Sequence, residues 1–346
     1  MRTRILFTLP LLVVAACSSE TVAPPPRPPV GSLAPLPPPA STADVVTAKE
    51  MALPQLYARA LSSAADAGVP FAGLAPLLNA ELAQFTSPGG RPAHEPAQII
   101  AAHDALFGAF DDRKFTIGRV WRTPNEQTVE WTMTGSQSRD WKGVAATRKA
   151  VGFRGVTLLW TKDDGSITDI HVTFDVAALK AQLGAPSPKE LVGLPVPTSP
   201  TGAPQVFEQT AATATQEAAN VNAVKASLDA LEGTDGAAYA GTMTDDVEVD
   251  RLERAEPARG KDAARAYFKT MHGAIGQLDT SVMNAWGVGS YVVVEYSISG
   301  EQLGALGWIK AQRDRVLRFE IVDLCEMRDG KIARVWRYDD PAEIGD

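Results

Sequence analysis

The sequence predicts an α+β fold used twice in tandem, because three patterns coincide. Stretches of helical periodicity give way to residues that alternate with a period of two. That order occurs once before residue 184 and again after residue 205. Matching residues of the two parts stand 165 positions apart, which marks duplication of a whole domain rather than a short solenoid repeat. At 346 residues, 45% hydrophobic and 21% charged, the chain has the composition of a globular protein with room for two domains. Its net charge of -8 argues against a nucleic-acid partner, which would require a basic footprint.

The chain opens with Arg2 and Arg4, an apolar run from Ile5 to Val14, and then Ala15-Ala16-Cys17. The apolar run has the length of a signal peptide and is too short to span a bilayer. The string Val14-Ala15-Ala16-Cys17 resembles the bacterial lipobox. The resemblance implies cleavage before Cys17 and lipidation of its thiol and amine, so residues 1–17 read as a lipoprotein signal and the first expected partner is a membrane. Several acyl chains, at about 0.8 kcal/mol per buried methylene, hold far more firmly than one. Localisation is expected at the bacterial envelope. Ser18 in place of Asp directs the reading, in a Gram-negative cell, to the periplasmic or external face of the outer membrane. Residues 18–45 hold nine prolines and read as an extended tether.

The first domain is assigned to 46–184, a second Pro-rich stretch (185–204) to a linker, and the second domain to 205–346. A helix is expected over about Thr47–Ala65 and its counterpart over about Val206–Leu231. A short helix and strand follow in each (Leu74 to Phe85; Tyr239 to Val249). Next comes an amphipathic helix: Ile99, Ala102, His103, Leu106 and Phe110 share one face, as do Ala264, Tyr267, Phe268, Met271 and Ile275. Val129, Trp131 and Met133 alternate with polar residues, and so do Val294, Tyr296 and Ile298, which predicts strands with one buried face. Asp164-Gly165 and Asp329-Gly330 predict hairpin turns. Trp121 and Trp286, Gly135 and Gly300, Arg148 and Arg313, Val151 and Val316, and Asp175 and Asp340 are among the pairs at the common offset.

The stretch from Thr134 to Gly184, with its Asp164-Gly165-Ser166-Ile167 turn, Asp175 and closing Gln182-Leu183-Gly184, resembles the SnoaL-like branch of the NTF2-like superfamily. In the second copy Asp329-Gly330-Lys331-Ile332, Trp336 and Asp340 carry the resemblance. It implies two cones, each a curved antiparallel sheet packed on helices around an apolar pocket. Cyclases of this family are expected to carry an acid/base Asp directly after the Trp of the last strand. Val172 and Arg337 occupy those positions here, and neither removes a proton from carbon at neutral pH.

Candidate site residues follow from these patterns. Strand parity turns Ile170, Val172 and Phe174 inward and Asp169, His171, Thr173 and Asp175 outward. Asp175 and Asp340 are weak catalytic candidates, with a helix cap the simpler role for Asp175. His103 could reach a pocket as a base, although Asp104 beside it cannot face it on a helix. Core packing is its simpler role. Trp121, Trp131, Val172, Trp286, Tyr296 and Arg337 are the expected ligand-binding set: aromatics on alternating strands, plus the residues that follow His171, which replaces the Trp in the first copy, and Trp336 in the second. A buried Arg337 requires a carboxylate or phosphate partner from protein or ligand. Glu130 and Glu295 read as surface strand charges. Cys325 reads as a buried thiol. No metal-ligand string, phosphate loop or serine triad occurs, so no metal and no cofactor are expected.

The leading functional expectation is a membrane-anchored envelope lipoprotein whose domains bind a small apolar ligand or a protein partner without catalysis. The alternative is an ester- or polyketide-cyclase-like enzyme acting on a small hydrophobic substrate. A third reading is a scaffold in which the two copies pair through their sheets, or the chain forms a homo-oligomer. Hollow cones separate the first two from the third.

Overall fold

The computed structural model describes residues 52–62, 71–87, 90–251, 256–307, 309–312 and 314–340. Cys17, the signal segment and the tether lie outside the described residues. The described residues fall within one compact unit.

The first copy begins with α1 (Ala52–Ser62) and a 3₁₀ turn (Ala72–Leu77), followed by β1 (Gln84–Thr86), β2 (Ala93–His94) and α2 (Pro96–Phe107). Pro96 suits the first turn of α2, where a missing N–H costs nothing. Four long strands follow: β3 (Phe110–Arg122), β4 (Glu126–Gln137), β5 (Ala150–Thr161) and β6 (Ile167–Phe174). Helix α3 (Val176–Leu183) closes the copy. Asp175 caps it, accepting a 2.8 Å hydrogen bond from the Ala178 N–H, and Gly184 ends it at φ 88°, a conformation that favours glycine. Next come β7 (Gln205–Glu208), α4 (Ala214–Glu232), α5 (Gly236–Gly241), β8 (Met243–Arg251), β9 (Ala258–Arg259) and α6 (Gly260–Ala274). Strands β10 (Ile275–Val288), β11 (Tyr291–Gln302), β12 (Val316–Arg328) and β13 (Lys331–Asp339) complete the second copy. The two sheets run β2-β1-β6-β5-β4-β3-β7 and β10-β11-β12-β13-β8-β9. The fold class is therefore α+β, with two tandem curved sheets each packed on helices. Among the described residues no helix is long and apolar enough to cross a membrane.

Several details depart from the sequence reading, among them Phe110 and Ile275, expected on the amphipathic helices, which open strands β3 and β10. The helix expected from Val206 begins only at Ala214. Residues 205–208 instead pair with β3 and add an edge strand to the first copy's sheet. The Phe207 ring stacks on Trp121 (5.6 Å) and packs on Tyr291 (4.5 Å), contacts that outweigh local helical preference. The repeat offset also changes along the chain. Gly135 faces Val151 across one hairpin, whereas Gly300 faces Leu317 across the other. The counterparts in β5 and β12 are thus 166 apart, while Val172 and Arg337 keep the offset of 165. The sequence coincidence Val151/Val316 is not an equivalence of register, and Arg313, paired in sequence with Arg148, lies outside the described residues.

The sheets pack on each other through the faces turned away from their own helices. Trp121, Val156 and Leu158 of the first copy and Trp286, Val293, Leu324 and Trp336 of the second belong to one buried apolar cluster. The faces expected to be outward are therefore not in water. Glu130 and Glu295, read as surface charges, are 8% and 3% exposed. A period of two separates the two faces of a strand but cannot tell solvent from a second sheet.

The charges buried in this interface are paired. Arg119 donates to Glu130 through Nε (2.6 Å) and Nη2 (2.7 Å), and Tyr338 of the other copy also donates to Glu130. Arg119 lies 3.8 Å over the Trp336 ring, a contact across the copies. His171 Nδ1 stands 2.8 Å from Glu295 Oε1, and Asn284 Nδ2 donates to the other oxygen of Glu295 (2.6 Å).

Burial alone would lower the His171 pKa, but the hydrogen bonds with Asp169 and Glu295 outweigh it and push it up to about 10. A raised folded-state pKa means that the protonated ring stabilises the fold fully below about pH 6.5, the unfolded value, and that this is lost as the pH rises through about 10. Replacing His171 by Gln is therefore expected to cost about 2 kcal/mol at pH 6, the range for a hydrogen bond to a charged group. Urea titrations should show the gap between variant and wild type closing by about pH 10. A gap constant with pH would show that the charge contributes nothing.

Candidate functional site

The interiors of the two cones differ. In the first, rings occupy the centre: Phe107, Phe115, Trp131, Phe153 and Phe174 form a network with neighbouring centroids 5.0–6.3 Å apart. Gly155 makes room for it, since a Cβ there would meet the Trp131 ring at 2.4 Å. The Trp131 Nε1–H donates to Thr157 Oγ1 (2.9 Å), so its one polar atom is satisfied.

His103 belongs to this filled interior. It is fully buried, with Nδ1 2.8 Å from the Ile99 carbonyl and Nε2 2.9 Å from the Tyr57 hydroxyl. One tautomer satisfies both contacts: Nδ1–H donates to the carbonyl, and Nε2 accepts from the hydroxyl. Burial lowers its pKa to about 4, opposed by the Ile99 hydrogen bond, so the ring is neutral at neutral pH. Both nitrogens are committed to structure.

The second cone is hollow. A cavity of about 630 Å³ lies between the inner faces of β8 and β11–β13 and helices α4 to α6. Its volume falls within the range of small-molecule sites. Val224, Leu228, Met271, Val294, Phe319 and Val335 contribute apolar wall. Cys325 also lines it, and burial pushes that thiol well above its ordinary pKa, which keeps it protonated. Glu190 and Leu194 of the linker reach the same cavity, as do Leu306 and Ile309 from the β11–β12 connection.

One polar cluster sits in this wall. Arg337 donates to both oxygens of Asp323, through Nε to Oδ1 (2.8 Å) and Nη2 to Oδ2 (2.6 Å). The Tyr296 hydroxyl donates to Asp323 Oδ2 and accepts from Arg337 Nη2, both at 3.0 Å. The Arg337 guanidinium lies 4.9 Å from the centroid of the Tyr267 ring. The protein itself thus supplies the carboxylate that Arg337 requires, and burial of the cation is opposed by Asp323, which holds its pKa well above the usual value. A second pair, Arg251 Nη2 with Asp339 Oδ2 (3.0 Å), stands in the same wall.

The expected site residues therefore separate. Tyr296 and Arg337 come together in the polar cluster of the second cone. Trp131 and Val172 lie in the packed core of the first. Trp121 and Trp286 lie between the sheets, because their strand parity turns them away from both cones. Asp175 caps α3, and Asp340 borders a small crevice between the copies with His171 and Glu295. Asp323 escaped the sequence reading altogether. Its register partner in the first copy is Thr157, and the 166-residue offset hides the correspondence. Paired strand registers show that Tyr296, Asp323 and Arg337 stand where the first copy has Trp131, Thr157 and Val172. No group of metal-ligating side chains occurs among the described residues.

The chain belongs to the SnoaL-like domain family, whose model matches residues 58–170 and again 224–335. No curated protein matches it. Among solved structures it is similar to an LEH-like epoxide hydrolase from M. tuberculosis, at 19% identity over 37% of this chain and 88% of that one, with a TM-score of 0.31. TsrD from Streptomyces laurentii matches at 20% identity over 36% of this chain and 91% of that one (TM-score 0.33). A protein with a ketosteroid isomerase-like fold from Catenulispora acidiphila, solved with trimethylamine, matches at 16% identity over 35% and 88% (TM-score 0.31).

Proposed function

We propose that the chain is an envelope lipoprotein, anchored through Cys17, that binds a small apolar molecule in the second cone without transforming it. The carrying observation is the cavity of about 630 Å³, whose walls are mainly apolar and whose buried charges neutralise one another. Paired charges leave the apolar wall as the main source of affinity, at about 25 cal/mol for each Å² of ligand and wall removed from water. Both oxygens of Asp323 are held by Arg337 and Tyr296, which favours a structural role over proton transfer. A cyclase-like reading draws on Asp323 as a carboxylate in the wall, and it requires Arg337 to release that group during turnover. The anchor and Pro-rich tether are read from the sequence around Cys17 and support an address at the envelope.

Nile red, a neutral apolar dye, is expected to bind at one site per chain and to be displaced by 1-decanol. Ala264 lines the cavity, and Ala264→Phe should lower dye affinity at least tenfold by filling it. Absence of dye binding, or equal binding by a folded Ala264→Phe protein, would overturn the assignment.

A further inference from the structure

Most polar side chains in the wall of the second cone's cavity are already spent. Arg337 and Tyr296 hold both oxygens of Asp323. Arg251 holds Asp339 Oδ2. Ser227 is hydrogen-bonded to Thr242 (2.9 Å), and Thr270 donates to the Ala266 carbonyl (2.9 Å). Asp339 Oδ1 has no partner, but it is shut off from cavity and solvent alike, so a molecule in the cavity does not reach it. Glu190 is exposed on the linker, where water serves its carboxylate.

Two enclosed groups remain. Tyr239 of α5 lines the cavity and is 5% exposed, yet its hydroxyl makes no hydrogen bond among the described residues. Arg337 uses Nε and Nη2 for Asp323 and Tyr296, while its Nη1 takes no part in that cluster. The Tyr239 ring stands 6.3 Å from the half-buried Tyr267 ring, whose centroid is 4.9 Å from the Arg337 guanidinium. Tyr239 and Arg337 therefore share one end of the cavity. Burial raises the pKa of Tyr239, with the Arg337 charge opposing, so the hydroxyl keeps its proton at neutral pH. Buried polar groups ordinarily have partners, and a hydroxyl left without one is destabilising until a partner arrives.

Both remaining groups have protons to place. An arginine N–H only donates, and the phenol proton needs an acceptor. The wall's charges are already balanced, Arg251 against Asp339 and Arg337 against Asp323. A carboxylate ligand would find no free cation there and would stand near two other carboxylates. An alcohol brings a further proton of its own. If the Tyr239 oxygen takes that proton, the Tyr239 proton goes unpaired instead. A carbonyl oxygen brings two lone pairs and no proton, so it accepts from both donors.

We propose that the cavity takes an uncharged apolar molecule bearing a carbonyl oxygen, and that Tyr239 selects it by donating its hydroxyl to that oxygen beside Arg337 Nη1. The inference rests on the cavity being a binding site and names the class of ligand.

The test is a series of equal chain length: octane, 2-octanone, 2-octanol and octanoate, each titrated against the chain by calorimetry. 2-Octanone should bind at least ~10-fold more tightly than 2-octanol, the factor set by one buried donor left unpaired. Octanoate should also bind more weakly than the ketone. Tyr239→Phe should lower affinity for 2-octanone about 5-fold, as one neutral hydrogen bond is lost, and leave that for octane unchanged. With the carbonyl carbon labelled with ¹³C, the resonance of bound 2-octanone should move downfield and return part of the way in Tyr239→Phe. The ligand-free variant should have a urea midpoint no lower than wild type, because the hydroxyl holds nothing in the fold; a lower midpoint would assign Tyr239 a structural role and sink the inference. Equal binding of ketone and alcohol, tighter binding of octanoate, or unchanged ketone binding by the variant would also overturn it. If octane and Nile red bind but the ketone has no advantage, the carbonyl assignment alone fails. If none of these molecules binds, the cavity reading fails with it.

Discussion

Arg337→Met is expected to destabilise the protein by about 3–5 kcal/mol, the cost of leaving a buried charge without its partner. Asp323 is one of the few carboxylates enclosed in the second cone, and Arg337 supplies two of its three hydrogen bonds. Methionine matches the length of arginine but donates nothing, so the Tyr296 hydroxyl is left as the only donor to an anion removed from water. The urea midpoint should fall, with the slope of the transition unchanged. The first copy indicates the remedy. Thr157 and Val172 stand at the positions of Asp323 and Arg337, and they pack against a satisfied Trp131. The double variant Asp323→Thr with Arg337→Val should therefore recover most of the loss, because it removes both charges and leaves a hydroxyl for Tyr296. Equal destabilisation by the single and double variants would mean that the ion pair itself, rather than an orphaned charge, sustains the cone.

The second large effect belongs to the joint between the copies. Glu130→Gln should cost about 3–5 kcal/mol, because Arg119, 5% exposed, then has no anion within the interface. Burial works against ionisation of Glu130, but Arg119 and the Tyr338 hydrogen bond outweigh it and pull its pKa down to about 2. The sign follows from that depression. The carboxylate stabilises the fold above its unfolded value near pH 4.5, and the contribution is lost as the pH falls through about 2. Wild type should therefore weaken steeply in that acid range, while the variant, already without the charge, weakens less. Parallel loss of stability in both proteins between pH 5 and pH 2 would rule out Glu130 as the acid-sensitive group.

Much of the architecture was legible in the residues because its causes are local. Helical spacing around Ile99 and Leu106, alternation around Val129 and Val294, and glycines at the Asp164-Gly165 and Asp329-Gly330 turns each act within a few residues. Gly165 (φ 80°) and Gly330 (φ 71°) adopt the left-handed backbone that such turns require. The cap formed by Asp175 is equally local. The common offset of Trp121 and Trp286 was enough to reveal the duplication.

The site was less legible, and particular residues show why. Trp121 and Trp286 repeat faithfully, yet they repeat because both copies use the same face to meet each other. Repetition recorded a shared surface, not a shared pocket. Glu130 and Glu295 alternate like surface charges because a strand's period reports two faces and not what covers them. Residue Asp323 could be found only from strand pairing, since a one-residue shift between β5 and β12 moves it off the repeat.

The sequence by itself determined the duplicated α+β domain and its family, because these depend on residue type and spacing along the chain. Tertiary structure alone decided that one cone is filled and the other open, and that the outward faces are buried against each other. Those outcomes depend on whether side chains from distant strands meet as Trp131 meets Gly155 or as Arg337 meets Asp323, and pairs so far apart in sequence become neighbours only when the sheet has formed.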